Sequence, residues 1–190
     1  MRKVKIILIF IFTLILLSPV LISVFFQKNT DNTLTISTVV QSDNIKETVI
    51  SEAMRLGDED FCDEGLKAII AIAKNNVSIG NYSNICTEDK DNDFYNRLEK
   101  LYEDADIDLS YKNERVYVPT SSLSSGFTKV SEEYPYITSV ASPWDCGAED
   151  FVYQKDYPAG VSIYGLNYLC LEGYSAEEAL RWYLPYFQIK

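Results

Sequence analysis

Between Lys5 and Gln27 the chain runs 21 residues, Ile6 to Phe26, without a charge, interrupted only by Thr13, Ser18, Pro19 and Ser23. At about 1.5 Å of rise per residue a helix of that length reaches roughly 30 Å, the thickness of a bilayer's hydrocarbon core. A secretory leader has a shorter apolar stretch, about 7–15 residues, and closes on a small-x-small cleavage site. This run closes instead on Ser23-Val24-Phe25-Phe26. The expectation is a single-pass membrane helix over residues 1–26, with Arg2, Lys3 and Lys5 holding the N-terminus in the cytoplasm. A polar tether follows over 27–44, beginning Gln27-Lys28-Asn29-Thr30-Asp31, and one extracytoplasmic domain over 45–190.

Charge and composition narrow what that domain can do. The chain has 17 basic and 28 acidic residues, a net charge of −11. Setting aside Arg2, Lys3 and Lys5 leaves 14 basic residues against the same 28 acidic ones, so −14 falls beyond the span. Such a surface repels phosphate, which excludes a nucleic-acid binder or a protein that grips anionic lipid by its overall field. There is no histidine. Ser-His-Asp and Cys-His nucleophile systems and His-ligated zinc are therefore excluded, and acid-base chemistry falls to carboxylates, Lys, Tyr or Cys. No metal and no cofactor is implied. Cys62, Cys86, Cys146 and Cys170 make no C-x-x-C pair, and all lie where the compartment permits disulfides. Four cysteines allow three pairings, and buried free thiols are the alternative.

Apolar periodicity places the helices. Asn44 as N-cap with Glu47 three residues on opens a helix over Ile45–Leu56 that Gly57 ends. Ile45, Val49, Ala53 and Leu56 share one sector of it, with Ile50 and Met54 outside. Glu52 breaks the pattern by falling on the apolar face. A carboxylate there is either shielded by a partner or desolvated into a general acid. A second helix over Cys62–Lys74 is apolar nearly all round, with Asp63 and Glu64 complementing the dipole of its first turn. A third spans Phe94 to Glu103, and a last one Ser175–Tyr183, with Ser175 and Glu178 spaced as a capping box. Between them, short strands are expected at Val116-Tyr117-Val118 and Tyr136-Ile137-Thr138-Ser139-Val140, bounded by turn-rich segments. The fold class is α+β, helices first and short strands after.

Three separated blocks carry a resemblance. The first is Thr48-Val49-Ile50-Ser51-Glu52 followed by Glu64-Gly65-Leu66-Lys67-Ala68. The second is Gly126-Phe127-Thr128, then Tyr134-Pro135-Tyr136-Ile137-Thr138-Ser139-Val140-Ala141-Ser142-Pro143-Trp144-Asp145. The third runs from Gly160-Val161-Ser162 through Tyr164-Gly165 and Glu172-Gly173-Tyr174-Ser175 to Leu180-Arg181-Trp182-Tyr183-Leu184-Pro185. In order and spacing they resemble the peptidoglycan-acting family of stage II sporulation protein D, also called the amidase-enhancer family.

The resemblance implies a membrane-anchored lytic transglycosylase of sporulation that cuts peptide-stripped glycan strands beside a cell-wall amidase and other engulfment proteins. The family's catalytic acid falls on Glu52. One carboxyl would protonate the glycosidic oxygen and then take the proton of the sugar's own 6-hydroxyl, closing a 1,6-anhydro ring without a second carboxylate. Lys74 stands where the family has an Arg, and would act as electrostatic support, although Lys lacks the two-pronged fork. Ser125, Thr128, Ser162 and Tyr164 would line the groove and bond sugar hydroxyls. Further departures are Ile69 for a family Gln and Ala159 for a family His. The alternative is a catalytically inactive glycan-binding or scaffolding partner of the amidase.

Overall fold

Helix α2 (Asp63–Ser78) is buried on nearly every side, with Leu66, Ala68, Ile69, Ile70, Ala71, Ile72 and Ala73 all inaccessible. A helix without a polar face needs partners all round. Four helices supply them: α1 (Ser42–Leu56), α3 (Asp93–Asp104), α4 (Ile163–Leu171) and α5 (Ala176–Tyr183) all pack against it. The computed structural model describes residues 42–82, 92–149, 151–153 and 159–190. The expected membrane helix over 1–26, most of the tether and Cys86 lie outside them. Among the described residues no helix is long and apolar enough to cross a membrane.

Helix starts follow capping chemistry. Cys62 is the N-cap of α2, its Sγ accepting from the Gly65 N–H at 3.4 Å, and Asn92 caps α3 through the Phe94 N–H. The expected box at α5 is present, with Ser175 and Glu178 capping each other's backbone. Glu64 serves two helices at once. It pairs with Lys67 at 2.8 Å and accepts the Ala176 N–H at the start of α5 at 2.9 Å. Those two bonds hold its carboxyl below the usual carboxylate range.

Several boundaries differ from expectation. Helix α1 begins at Ser42, so Asn44 lies inside it and is not its cap. Its buried arc runs through Val49, Ile50, Glu52 and Ala53, which leaves Ile45 40% exposed. Helix α2 continues one turn past Lys74. Helix α4 is an addition: Ser162 caps it, but the run is apolar on most sides and carries a glycine in its first turn, so no clear period marks it.

The strands are two residues each, and they lie beside the expected segments rather than within them. Among the described residues β1 (Leu109–Ser110) pairs antiparallel with β6 (Gln188–Ile189), Leu109 opposite Ile189. The parallel pair is β2 (Thr120–Ser121) with β5 (Val161–Ser162), and β3 (Gly126–Phe127) pairs antiparallel with β4 (Ala141–Ser142). Gly160, at φ +105°, brings β5 against the Pro119 carbonyl, where a Cβ would collide.

Val116–Val118 is not a strand because helix α2 occupies its hydrogen bonds. The Asn76 amide donates to the Val118 carbonyl and accepts the Val118 N–H, both at 2.9 Å. Asn75 donates to the Val116 carbonyl at 2.8 Å. These side chains do the work of a neighbouring strand. Tyr134–Ile137 is a turn closed by the Ile137 N–H. It is held by a cluster of Tyr111, Tyr117, Tyr134, Tyr136 and Phe187, whose ring centroids lie 5.3–6.2 Å apart.

Candidate functional site

Glu52 sits in the third turn of α1 and is 3% exposed. Of the two fates open to a carboxylate on an apolar face, the structure shows the first. Arg55, one turn on and half-exposed, grips it with a two-pronged fork, Nε to Oε2 at 3.1 Å and Nη2 to Oε1 at 2.5 Å. That bond raises the guanidinium above its ordinary value, against the opposing effect of burial.

Lys74 lies elsewhere. Its ammonium donates to the carbonyls of Tyr102 at 2.9 Å and Ala105 at 2.7 Å, and stands 4.1 Å from the centre of the Tyr102 ring. It thus caps the C-terminus of α3, where a cation complements the helix dipole. Burial pulls its pKa below the usual lysine value. A polar cavity of about 230 Å³ adjoins it, walled by Asp106, Asp108 and Arg115 among others.

The groove candidates divide. Thr128 is buried, and its Oγ1 accepts the Val140 N–H at 2.9 Å and donates to the Thr138 carbonyl at 3.3 Å, bracing β3 against β4. Ser162 is buried as well, capping α4 through the Gly165 N–H at 3.1 Å and donating to Asp145 Oδ1 at 3.0 Å. Ser125 is half-buried at the turn before β3 and has partners of its own. Tyr164 alone of the four faces an open space. It lines a cavity of about 490 Å³ with Leu56, Phe61, Leu123, Asp58 and Glu149. Glu52 lies one helical turn before Leu56 of that wall.

The last two resemblance blocks converge on a buried polar junction. Asp145, on a 3-10 helix over Pro143–Gly147, is wholly buried and accepts the Ser124 N–H at 2.8 Å as well as the Ser162 hydroxyl. Beside it the Tyr183 hydroxyl shares a 2.6 Å hydrogen bond with Ser142 Oγ and accepts from Trp144 Nε1 at 3.0 Å. Burial, with a smaller contribution from Asp145, drives the Tyr183 phenol well above its usual value. The Asp145 carboxylate and the Tyr183 phenol are each tied to partners, as burial requires of them, whereas the buried Ser124 Oγ has none. The junction holds; it offers no reacting group to solvent.

What it holds is aromatic. Trp144 lies flat on Tyr168 of α4, centroids 5.6 Å apart and planes 6° from parallel. Trp182 of α5 stands 5.7 Å from Trp144 at 53° and is 43% exposed. Both indole N–H groups point inward, Trp144 to Tyr183 and Trp182 to the Ala141 carbonyl at 2.8 Å. Tyr164, Tyr168 and Leu171, at helical i, i+4, i+7 spacing, form the outer stripe of α4, so the platform runs directly into the cavity. The chain carries 2 Trp, 14 Tyr and 9 Phe, and composition alone does not say which of them share a face. The i, i+4, i+7 spacing was the available signal, and it is readable only once residues 163–171 are known to be helical.

Among the described residues no group of three or more Cys, Asp or Glu side chains is placed to hold a metal ion. No protein-family model matches the chain, and no curated protein matches it.

Proposed function

We propose that this chain is a membrane-tethered protein of the cell envelope that binds peptidoglycan glycan strands, working in sporulation beside a cell-wall amidase and other engulfment proteins. Residues 1–26 would be the anchor, with the N-terminus cytoplasmic and the domain outside. The observation that carries the reading is the platform of Trp144, Tyr168 and Trp182, whose indole N–H groups are fixed inward, with Trp182 exposed and the stacked Trp144 and Tyr168 half-buried beside it. The apolar face of a sugar presents C–H hydrogens of partial positive charge, which match the negative face of a π system. Because the rings are already fixed, stacking costs little side-chain entropy. Sugar hydroxyls at the ring edge would find Asp58, Ser122 and Glu149 in the adjoining cavity. Stripped glycan is close to neutral, so the acidic surface does not repel it.

A second reading, lytic transglycosylase with Glu52 as acid-base, is favoured by one observation. The buried carboxylate stands where the resemblance puts the catalytic acid, one turn from the cavity wall. As found, Arg55 occupies both its oxygens, so catalysis would require that pair to open; Arg55, half-exposed, has room to swing outward.

The test uses the full chain and amidase-treated peptidoglycan. Trp182→Ala is expected to weaken co-sedimentation with the glycan about 3–10-fold while the thermal midpoint stays within a few degrees. Absence of binding by the wild type, or equal binding by the variant, would overturn the glycan platform. Mass spectrometry of the same incubations reads 1,6-anhydro ends. Product that disappears in Glu52→Gln supports the enzyme; product that persists removes Glu52 from it. Binding without product leaves the binding protein alone.

A further inference from the structure

Cys62 and Cys170 meet at the seam between α2 and α4. The N–H of Cys62 donates to Asn167 Oδ1 at 3.0 Å, and Asn167 lies on α4 one turn before Cys170, on the same side of the helix. The two helices come this close because residue 65 is glycine. A Cβ there would fall 2.5 Å from Asn167 Oδ1 and 3.3 Å from its Cα. The Cys62 thiol is thereby brought near enough to act on the Cys170 thiol and raise its pKa. Cys170 is buried and Cys62 half-buried; both are thiols in the structure, as is Cys146, which is exposed. Cys86 lies outside the described residues.

We propose that Cys62 and Cys170 are the disulfide-forming pair of this domain, a covalent staple between the N-terminus of α2 and the helix that carries Tyr164 and Tyr168. The staple rests on the geometry of the seam and stands whether or not the aromatic platform binds glycan. The oxidant is a disulfide, either a small molecule or a thiol-oxidase. Cys62, the sulfur that solvent reaches, attacks it as thiolate and forms a mixed disulfide, releasing the first oxidant thiol. Cys170 then loses its proton and attacks Cys62 Sγ, forming the Cys62–Cys170 bond and expelling the second oxidant thiol. The two thiol protons end on the oxidant's sulfurs, and its disulfide takes up the two electrons. Burial, with Cys62 and Glu64 adding to it, pushes the Cys170 thiol up to about 12. The second step is therefore the slow one, and it accelerates as pH rises.

Purified full-length protein is incubated with oxidised glutathione, its remaining thiols are alkylated, and it is digested without reduction. The expected product is a peptide pair linking residues 62 and 170 that separates on reduction, with closure faster at higher pH. Oxidation is expected to raise the thermal midpoint by roughly 4–16 °C in the wild type and to leave Cys62→Ser and Cys170→Ala unchanged. Should either variant fail to fold, the wild-type peptide map decides alone. Separate alkylation of Cys62 and Cys170 after oxidation, or linkage of either to Cys86 or Cys146, overturns the assignment. Loss of glycan binding with the 62–170 link intact would bear on the function and leave the staple standing.

Discussion

A methyl group at position 165 has no space to occupy. A Cβ there would collide with the Tyr183 hydroxyl and fall 2.5 Å from both Ser142 Oγ and Trp144 Nε1. Tyr183 and Ser142 are fully buried and hydrogen-bonded to each other, so neither can give way cheaply. Gly165→Ala gains about 1 kcal/mol of helix propensity. The overpacking nevertheless prevails, and the variant is expected to lose about 1–3 kcal/mol in urea unfolding. It should also loosen Trp144, visible as a change in near-UV circular dichroism. Glu52 teaches a related lesson at the same scale. The helical wheel placed it on the apolar face correctly, but only neighbouring side chains in space decide what a carboxylate does there. Its answer is Arg55, three residues on and therefore its neighbour on the helix surface, whose head group reaches back to it.

Among the elements, the least conventional is the segment Val116–Val118, held by helix side chains. Val118 is buried, and both its backbone groups depend on the Asn76 amide. Asn76→Ala strands a donor and an acceptor out of water, at a cost of about 2–4 kcal/mol in urea unfolding. Native-state hydrogen exchange should show the Val118 amide losing its protection. An unchanged exchange rate would mean that another group holds it. The β-branched and aromatic run Val116-Tyr117-Val118 predicted a short strand, and none forms there. Strand pairing was not legible, because an asparagine forty residues away supplies the bonds that a neighbouring strand would otherwise make. By contrast, helix α2 and the capping box of α5 were legible, since burial on all sides and a Ser-x-x-Glu spacing are written into consecutive residues.

For the whole molecule, Glu64 links the beginning of α2 to the beginning of α5. Its folded pKa is depressed, first by Lys67 and then by the Ala176 N–H. The stability it contributes is therefore present above its unfolded pKa and lost as pH falls through the folded one. Because the carboxylate is partly exposed, the effect is modest. Glu64→Gln is expected to cost about 0.5–1 kcal/mol at neutral pH, and to flatten the fall in stability between about pH 5 and 3 in acid titrations followed by circular dichroism. Identical acid limbs in the two proteins would show that the link does not hold.

The candidate site was only partly legible. Glu52 and Tyr164 could be singled out from the chain, but Trp144, Tyr168 and Trp182 come from a 3-10 helix and two helices, and no local pattern joins them. Of the residues read as a sugar groove, Ser162 and Thr128 turned inward, because a hydroxyl beside a helix start or a strand end bonds the nearest free backbone group first. By itself the sequence determined the α+β class, the burial of the apolar residues between Leu66 and Ala73, the exclusion of histidine chemistry and the strongly acidic surface. These are properties of composition and of neighbours along the chain. Tertiary structure decided that Arg55 claims Glu52, that Lys74 caps a helix, that Cys62 faces Cys170 and that two tryptophans share one platform. Each is a contact between residues brought together by packing, and distance in space follows from how helices share a core rather than from their order in the sequence.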